Sequence, residues 1–207
     1  VYRGSTDKLL NEISLFSNVP IINGLTENSH PCQIMADILT LQEKFQRIDN
    51  LKICWVGDGN NVCNSWIHSC DHFDYEFNIS CPPGNFPSKK VTKQTKSRKI
   101  NFFENPSEAV LGADIIITDT WVSMGMTDDP KRIRKFKNFQ IRFFVEKFKA
   151  KQLMGDSVLV IGGGGREHAI CQSLKNFRLI RFDTKNQLLQ PLQMPKKVQV
   201  LIKNKYF

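Results

Sequence analysis

The sequence predicts an α/β protein built on a parallel sheet with helices on both faces, and three observations carry that prediction. Short runs rich in β-branched and aromatic residues, Leu51 to Val56, Tyr75 to Cys81, Lys99 to Phe103 and Asp114 to Ile117, alternate with stretches of helical period, the pattern of repeated strand–helix units in a doubly wound sheet. The isoleucines at 115, 116 and 117 are too few for a helix and have the branched content of a strand buried on both faces. Two of these strands end in residues suited to turns or ligands: Gly57-Asp58-Gly59-Asn60-Asn61 after one, and Asp119, Trp121, Ser123 and Met124 after the other. Open α/β sheets place their ligands at such carboxyl ends.

Taken in order, Leu9, Leu10, Ile13 and Phe16 fall at helical intervals behind a cap at Thr6 or Asp7. A short strand is expected over Val19 to Ile22, before the Asn23-Gly24 turn signal. A helix from Pro31 to about Phe45 opens with proline in its first turn and carries the stripe Ile34, Ile38, Leu41 and Phe45. Arg47 to Asn50 reads as a polar hinge. After the Leu51 strand and its glycine turn, a helix is expected over Val62 to Phe73. The GDGNN turn lacks the G-x-G-x-x-G spacing of a dinucleotide site. The basic stretch before Lys99 is too short and too polar for a good helix. Asn105 or Ser107 caps a brief helix through Leu111. Beyond Gly125 a basic amphipathic segment follows Pro130 and ends near Ile141.

Composition bounds the function less than it bounds the fold. A chain of 207 residues with 41% hydrophobic content can bury a sizeable core in one large domain or two small ones. Much of the net charge of +9 sits in two runs, six basic residues between Lys89 and Lys99 and five between Lys131 and Lys137. Neither run has a nucleic-acid-binding pattern, so they read as solvated faces, and nucleic acid is not the expected partner. The six cysteines include no C-x-x-C pair and fit reduced thiols in a cytosolic-type compartment. His68, Cys70 and His72 have no second ligand pair at zinc spacing, so no metal is expected. No apolar run approaches the roughly 18 residues of a membrane span and no secretory signal opens the sequence, so no membrane is expected as a partner.

Several polar residues sit where they can do chemistry. Arg3, at the end of a strand, can grip a phosphate in bidentate fashion. His30 lies at the amino end of a helix, where an anion can be held by the imidazole and backbone donors together, or where the side chain merely caps the helix. Gln33 adds a side-chain amide that can both donate and accept hydrogen bonds. Asp119, Ser123 and Met124 beside Trp121 form a set that can grip an amine on an aliphatic chain; the plain alternative is a strand end with a helix cap.

The loop DTWVSMG at 119–125 resembles the ornithine-binding loop of the ornithine carbamoyltransferases. HPCQ at His30–Gln33 is similar to that family's carbamoyl phosphate signature, and GDGNN at Gly57–Asn61 to the turn that holds the ornithine backbone. The likeness spans roughly residues 1 to 141. It implies a remnant of the carbamoyl phosphate-binding domain with an interdomain helix over 1–46, an ornithine-binding α/β domain over 47–150, and an unrelated tail over 151–207. The implied reaction is attack of the ornithine side-chain amine on carbamoyl phosphate, giving citrulline and phosphate with no metal or organic cofactor. Arg3, His30 and Gln33 would bear on carbamoyl phosphate. Asn61, Asp119, Ser123 and Met124 would hold ornithine, Asp119 pairing with its α-amino group. The resemblance also implies a homotrimer, through a lobe largely missing here, and a cytoplasmic or, in a eukaryote, mitochondrial-matrix setting.

Departures from that pattern set a further expectation. The S-T-R-T phosphate loop, the H-C-L-P strand end and a later arginine are absent from these 207 residues, so weak ornithine affinity without useful turnover is expected. The alternatives are a non-catalytic ornithine-binding module and a basic nucleic-acid-binding protein. SVLVIGGGGREHAICQS at 157–173 resembles the first strand and glycine loop of phosphoribosylamine-glycine ligase, an enzyme of the ATP-grasp type. Together the two resemblances imply a join of two truncated reading frames, with Val158 to Ile161 docking as the next parallel strand after the Asp114 strand.

Overall fold

The computed structural model describes residues 1–119, 121 and 129–139, and the backbone of 159–162 and 199–202. The chain divides into two compact units: Val1–Asn50, Gly59–Tyr75 and Pro87–Lys99 form the first, and Leu51–Asp58, Glu76–Phe86 and Ile100–Phe207 the second. The α/β class and the parallel sheet are as the sequence predicts.

In the first unit, β1 (Tyr2–Arg3) pairs in parallel with β2 (Asn23–Leu25). The strand expected over Val19 to Ile22 forms instead directly after that run, over Asn23–Leu25. Pro20 has no N–H to give a ladder, and the bond from the Tyr2 N–H to the Ile22 carbonyl begins the pairing only at the end of the expected run. Helix α1 (Asp7–Phe16) starts where Thr6 Oγ1 accepts the Leu9 N–H at 3.3 Å, satisfying one of the orphan donors of a first turn. None of its residues is buried. Helix α2 (Pro31–Phe45) buries Ile34, Ile38 and Leu41, three of its four predicted stripe residues, together with Asp37. It closes on Gln46 in the left-handed region at φ 57°.

Helix α3 (Asn61–Ser69) is shorter than the pattern through Phe73 suggests. The Trp66 carbonyl accepts the hydroxyls of Ser69 at 2.9 Å and Tyr75 at 3.0 Å and the Cys70 thiol at 3.3 Å. With that acceptor crowded, the N–H groups of Cys70, Asp71 and His72 turn to carbonyls three residues back, the tighter geometry that ends many helices. His72 therefore lies beyond the helix that carries His68. The basic stretch forms only α4 (Lys89–Gln94), capped by Ser88. Its link to the next strand is pinned by Asp71, whose carboxylate accepts from Thr95 Oγ1 and from the N–H groups of Lys96 and Ser97.

The second unit holds an all-parallel sheet of β3 (Lys52–Val56), β4 (Glu76–Ser80), β5 (Ile100–Phe103), β6 (Ile115–Ile117), β7 (Leu159–Gly162) and β8 (Gln199–Ile202). Its spatial order is β5-β4-β3-β6-β7-β8, which by strand sequence is the doubly wound arrangement with its reversal between β3 and β6. Ile53, Trp55, Phe77, Ile79, Ile115 and Ile117 are buried, each large side chain contributing about 2 kcal/mol by leaving water. Helix α5 (Pro106–Ala109), capped by Asn105, receives Asn78 Nδ2 at the Ala109 carbonyl. After residue 129 come α6 (Pro130–Phe136), capped by Asp129, and a 3-10 turn at Lys137–Phe139. β7 takes the place beside β6 expected for Val158 to Ile161. Strand β8, which no sequence signal announced, pairs with β7. Among the described residues, no helix is long and apolar enough to cross a membrane.

Candidate functional site

Four of the predicted residues, Arg3, His30, Gln33 and Asn61, belong to the first unit and gather around the segment 23–30. Arg3 is exposed on β1, whose continuation bonds that segment through Gly4 N–H to the Leu25 carbonyl. From the other side Asn61 Nδ2 donates to the Thr26 carbonyl at 2.8 Å and Asn64 Nδ2 to the Asn28 carbonyl at 3.1 Å. Ser65 joins the starts of two helices: its hydroxyl accepts the His30 N–H at 2.7 Å and donates to the Asn61 carbonyl at 3.0 Å. Thr26, buried at the centre, accepts from Asn23 and receives its own turn bond by donating N–H to the Ser29 carbonyl.

The reason for this convergence is local. Pro31 forces the helix start at the residue before it, so His30 occupies the N-cap of α2 with φ −140° and ψ 63° and makes no side-chain cap bond. Asn60 caps α3 by accepting the Val62 and Cys63 N–H groups, which leaves the next residue, Asn61, to face the 23–30 segment. Gln33 Nε2 donates to Asp37 Oδ1 at 2.7 Å, one helical turn on. That bond aims the Gln33 amide along α2 through a buried carboxylate, an arrangement the motif alone did not signal.

The second unit supplies Asp119, half-buried at the end of β6. The β3–β6 register pairs Trp55 with Ile117, and Gly57 and Asp119 each follow two residues later, past the ends of the two strands between which the strand order reverses. Gly57 is required there: its φ is +148°, and a Cβ would sit 3.3 Å from Thr118 Oγ1. The adjoining turn is tied down by side chains. Trp55 Nε1 donates to the Asp58 carbonyl at 3.0 Å, Asn85 Nδ2 donates to Asp58 Oδ1 at 2.8 Å, and Arg132 pairs with Asp58 Oδ2. Arg132 Nε also donates to the Trp121 carbonyl, its guanidinium lies 5.1 Å from the Phe136 ring centre, and Trp121 stacks on Phe136 at 5.5 Å.

Ser123 and Met124 lie outside the described residues. Asp58, Asn85 and Arg132 were not singled out from sequence: the acid is the second residue of the glycine turn, whereas the arginine is hidden in a basic run read as a solvated face. Thiol chemistry is not offered by Cys54, Cys70 or Cys81. Burial pushes the Cys70 thiol up to about 12, against the pull of its bond with Tyr75, and raises Cys54 and Cys81 further. Among the described residues no group of three His, Cys, Asp or Glu side chains is placed to hold a metal ion.

Comparison with known proteins adds a family to this geometry. Residues 49–153 match the family model for the aspartate/ornithine carbamoyltransferase Asp/Orn binding domain, and residues 1–43 match the carbamoyl-P binding domain. The match thus continues past Ile141, where the motifs stop. Ornithine carbamoyltransferase of Methanoculleus marisnigri is 39% identical over 142 residues, 67% of this chain and 46% of the relative. That of Caulobacter vibrioides is 46% identical over 127 residues, 60% of this chain and 41% of the relative. Among solved structures, ornithine carbamoyltransferase from Pyrococcus furiosus superposes with a TM-score of 0.62 at 30% identity, over 76% of this chain and 51% of its own. The enzyme from Giardia lamblia, at 23% identity and a TM-score of 0.65 over 77% and 55% of the two chains, shares the fold. The chain spans about half the length of the curated relatives it matches.

Proposed function

Since the chain belongs to the aspartate/ornithine carbamoyltransferase family, we propose that it descends from an ornithine-specific member and keeps an ornithine-binding surface while carrying out little or no carbamoyl transfer. The observation that carries the reading is Asp119, two residues past the end of β6, a strand at which the sheet order reverses, and followed by the Trp121-Val122-Ser123-Met124-Gly125 segment. A carboxylate at that position suits the α-amino group of a diamino acid, and the SMG that follows Trp121 favours ornithine over aspartate. Asn61, Ser123 and Met124 complete the proposed ornithine set. Arg3, His30 and Gln33 are the proposed carbamoyl phosphate set.

The low turnover follows from what transfer requires. Two reactants must be held in line and the charge on departing phosphate stabilised, and removing one preorganised donor costs on the order of a hundredfold. Within the sequence, the strand beside β6 runs into the glycines 162–165 rather than into an H-C-L-P end. We infer in addition that Ser157–Ser173 comes from a second reading frame, joined to the first between codons 141 and 157, and that residues 1–46, 47–150 and 151–207 are the units of descent. Transcript sequencing across that join tests the fusion.

Two assays on pure protein test the rest. Calorimetry should detect ornithine binding, and a colorimetric citrulline assay with both substrates should stay near its buffer blank. Robust citrulline production would overturn the loss of turnover, and absence of ornithine binding would overturn the retained surface.

A further inference from the structure

We propose that Arg132 is a positioning residue that ties the start of the 119–125 loop to the Gly57-Asp58 turn, so that Asp119 is presented where the strand order reverses. This deepens the ornithine reading above and rests on it. One guanidinium bridges three elements: it pairs with the Asp58 carboxylate after β3, donates from Nε to the Trp121 carbonyl after β6, and lies 5.1 Å from the Phe136 ring centre in its own helix. Trp121 stands two residues after Asp119 and two before Ser123. Fixing its carbonyl therefore fixes the backbone two residues beyond Asp119.

The environment favours a tie over a casual surface pair. Side-chain exposure is 16% for Asp58 and 20% for Arg132, so water screens the pair far less than it screens an exposed one. Asp58 is itself held on its other oxygen by Asn85 and through its carbonyl by Trp55, so the anchor is rigid. A guanidinium has donors in a fixed planar fork and a flat face for stacking. An ammonium can supply the charge but cannot reproduce both bonds and the ring contact.

The test uses the full chain labelled with 5-fluorotryptophan, with the Trp121 signal assigned through Trp121→Phe. Fluorine NMR, thermal denaturation and ornithine calorimetry are compared for wild type, Arg132→Met, Arg132→Lys and Asp58→Asn. Arg132→Met should lower the melting temperature, because Asp58 loses its partner, but it should also move the Trp121 signal while leaving that of Trp66, and weaken ornithine binding roughly tenfold. Arg132→Lys should restore part of the affinity. If Arg132→Met does not fold, Asp58→Asn, which removes the charge with the volume unchanged, carries the same expectations. An unmoved Trp121 signal overturns the tie whatever happens to affinity, and so does unchanged ornithine affinity in both variants. If wild type itself binds no ornithine, the ornithine reading fails while the fluorine signal alone decides whether the tie exists.

Discussion

The polar cluster around residues 23–30 and the cluster at the reversal of the sheet are built on opposite plans. In the first, the residues proposed to touch ligand are themselves the structural cement: Asn61 holds the Thr26 carbonyl and Gln33 holds Asp37. In the second, the bracing comes from side chains that are not proposed to touch ligand: Gly57 makes room for Thr118, and Asn85 and Arg132 hold Asp58 in the turn. Where bracing and proposed contact lie on different residues, a brace can be changed while every proposed contact side chain stays in the chain. Where a single side chain does both, folding and binding fall together.

Substitutions should expose that difference in descending order. Gly57→Val imposes a side chain at φ +148° with its Cβ 3.3 Å from Thr118 Oγ1, and should destabilise the protein by about 3 kcal/mol in urea unfolding. Asp58→Ala leaves the largely buried Arg132 without its partner and Asn85 without an acceptor, a loss of about 2 kcal/mol by the same measurement. Asn61→Ala should cost about 1 kcal/mol and weaken ornithine at the same time. An Asn61 variant that lost affinity with no loss of stability would break the contrast.

Asp71 gives a smaller and pH-dependent effect. Desolvation pushes its carboxyl up, but bonds from Thr95, Ser97 and Lys96 and the nearby His72 outweigh it and hold the carboxyl below its usual value. A depressed folded-state value means that the contribution is present above the unfolded carboxyl value and lost as pH falls through the folded one. Asp71→Asn should therefore melt lower than wild type at neutral pH, and the two should converge in strong acid. The least perturbing check is chemical. Iodoacetamide on the native protein near neutral pH should label exposed Cys32 while sparing Cys54, Cys70 and Cys81, because alkylation needs the thiolate.

Much of the architecture was legible because its signals are local. Isoleucine runs, proline at helix starts and Asn or Ser caps each act within a few residues, and they located α2, β3, β4, β5 and β6 to within one or two positions. The shortened α3 was not legible, since its end depends on Tyr75 reaching back to the Trp66 carbonyl. Strand β8 was missed because nothing in the tail's pattern marks Gln199–Ile202 as the partner of β7. Among candidate residues, the motif letters suggested Asn61 in the first unit and Asp119 in the second, and they could not suggest Arg132, whose bond is with a residue 74 positions earlier in the chain.

The first helix carries a practical consequence. Leu9, Ile13, Leu15 and Phe16 stand uncovered on it, with Val19 and Ile22 just behind. Bare hydrocarbon of this kind makes a polypeptide cling to resins, take up amphiphilic dyes and come out of solution as it is concentrated. Ornithine titrations are therefore best run dilute and in mild detergent, where clumping cannot pass for heat of binding.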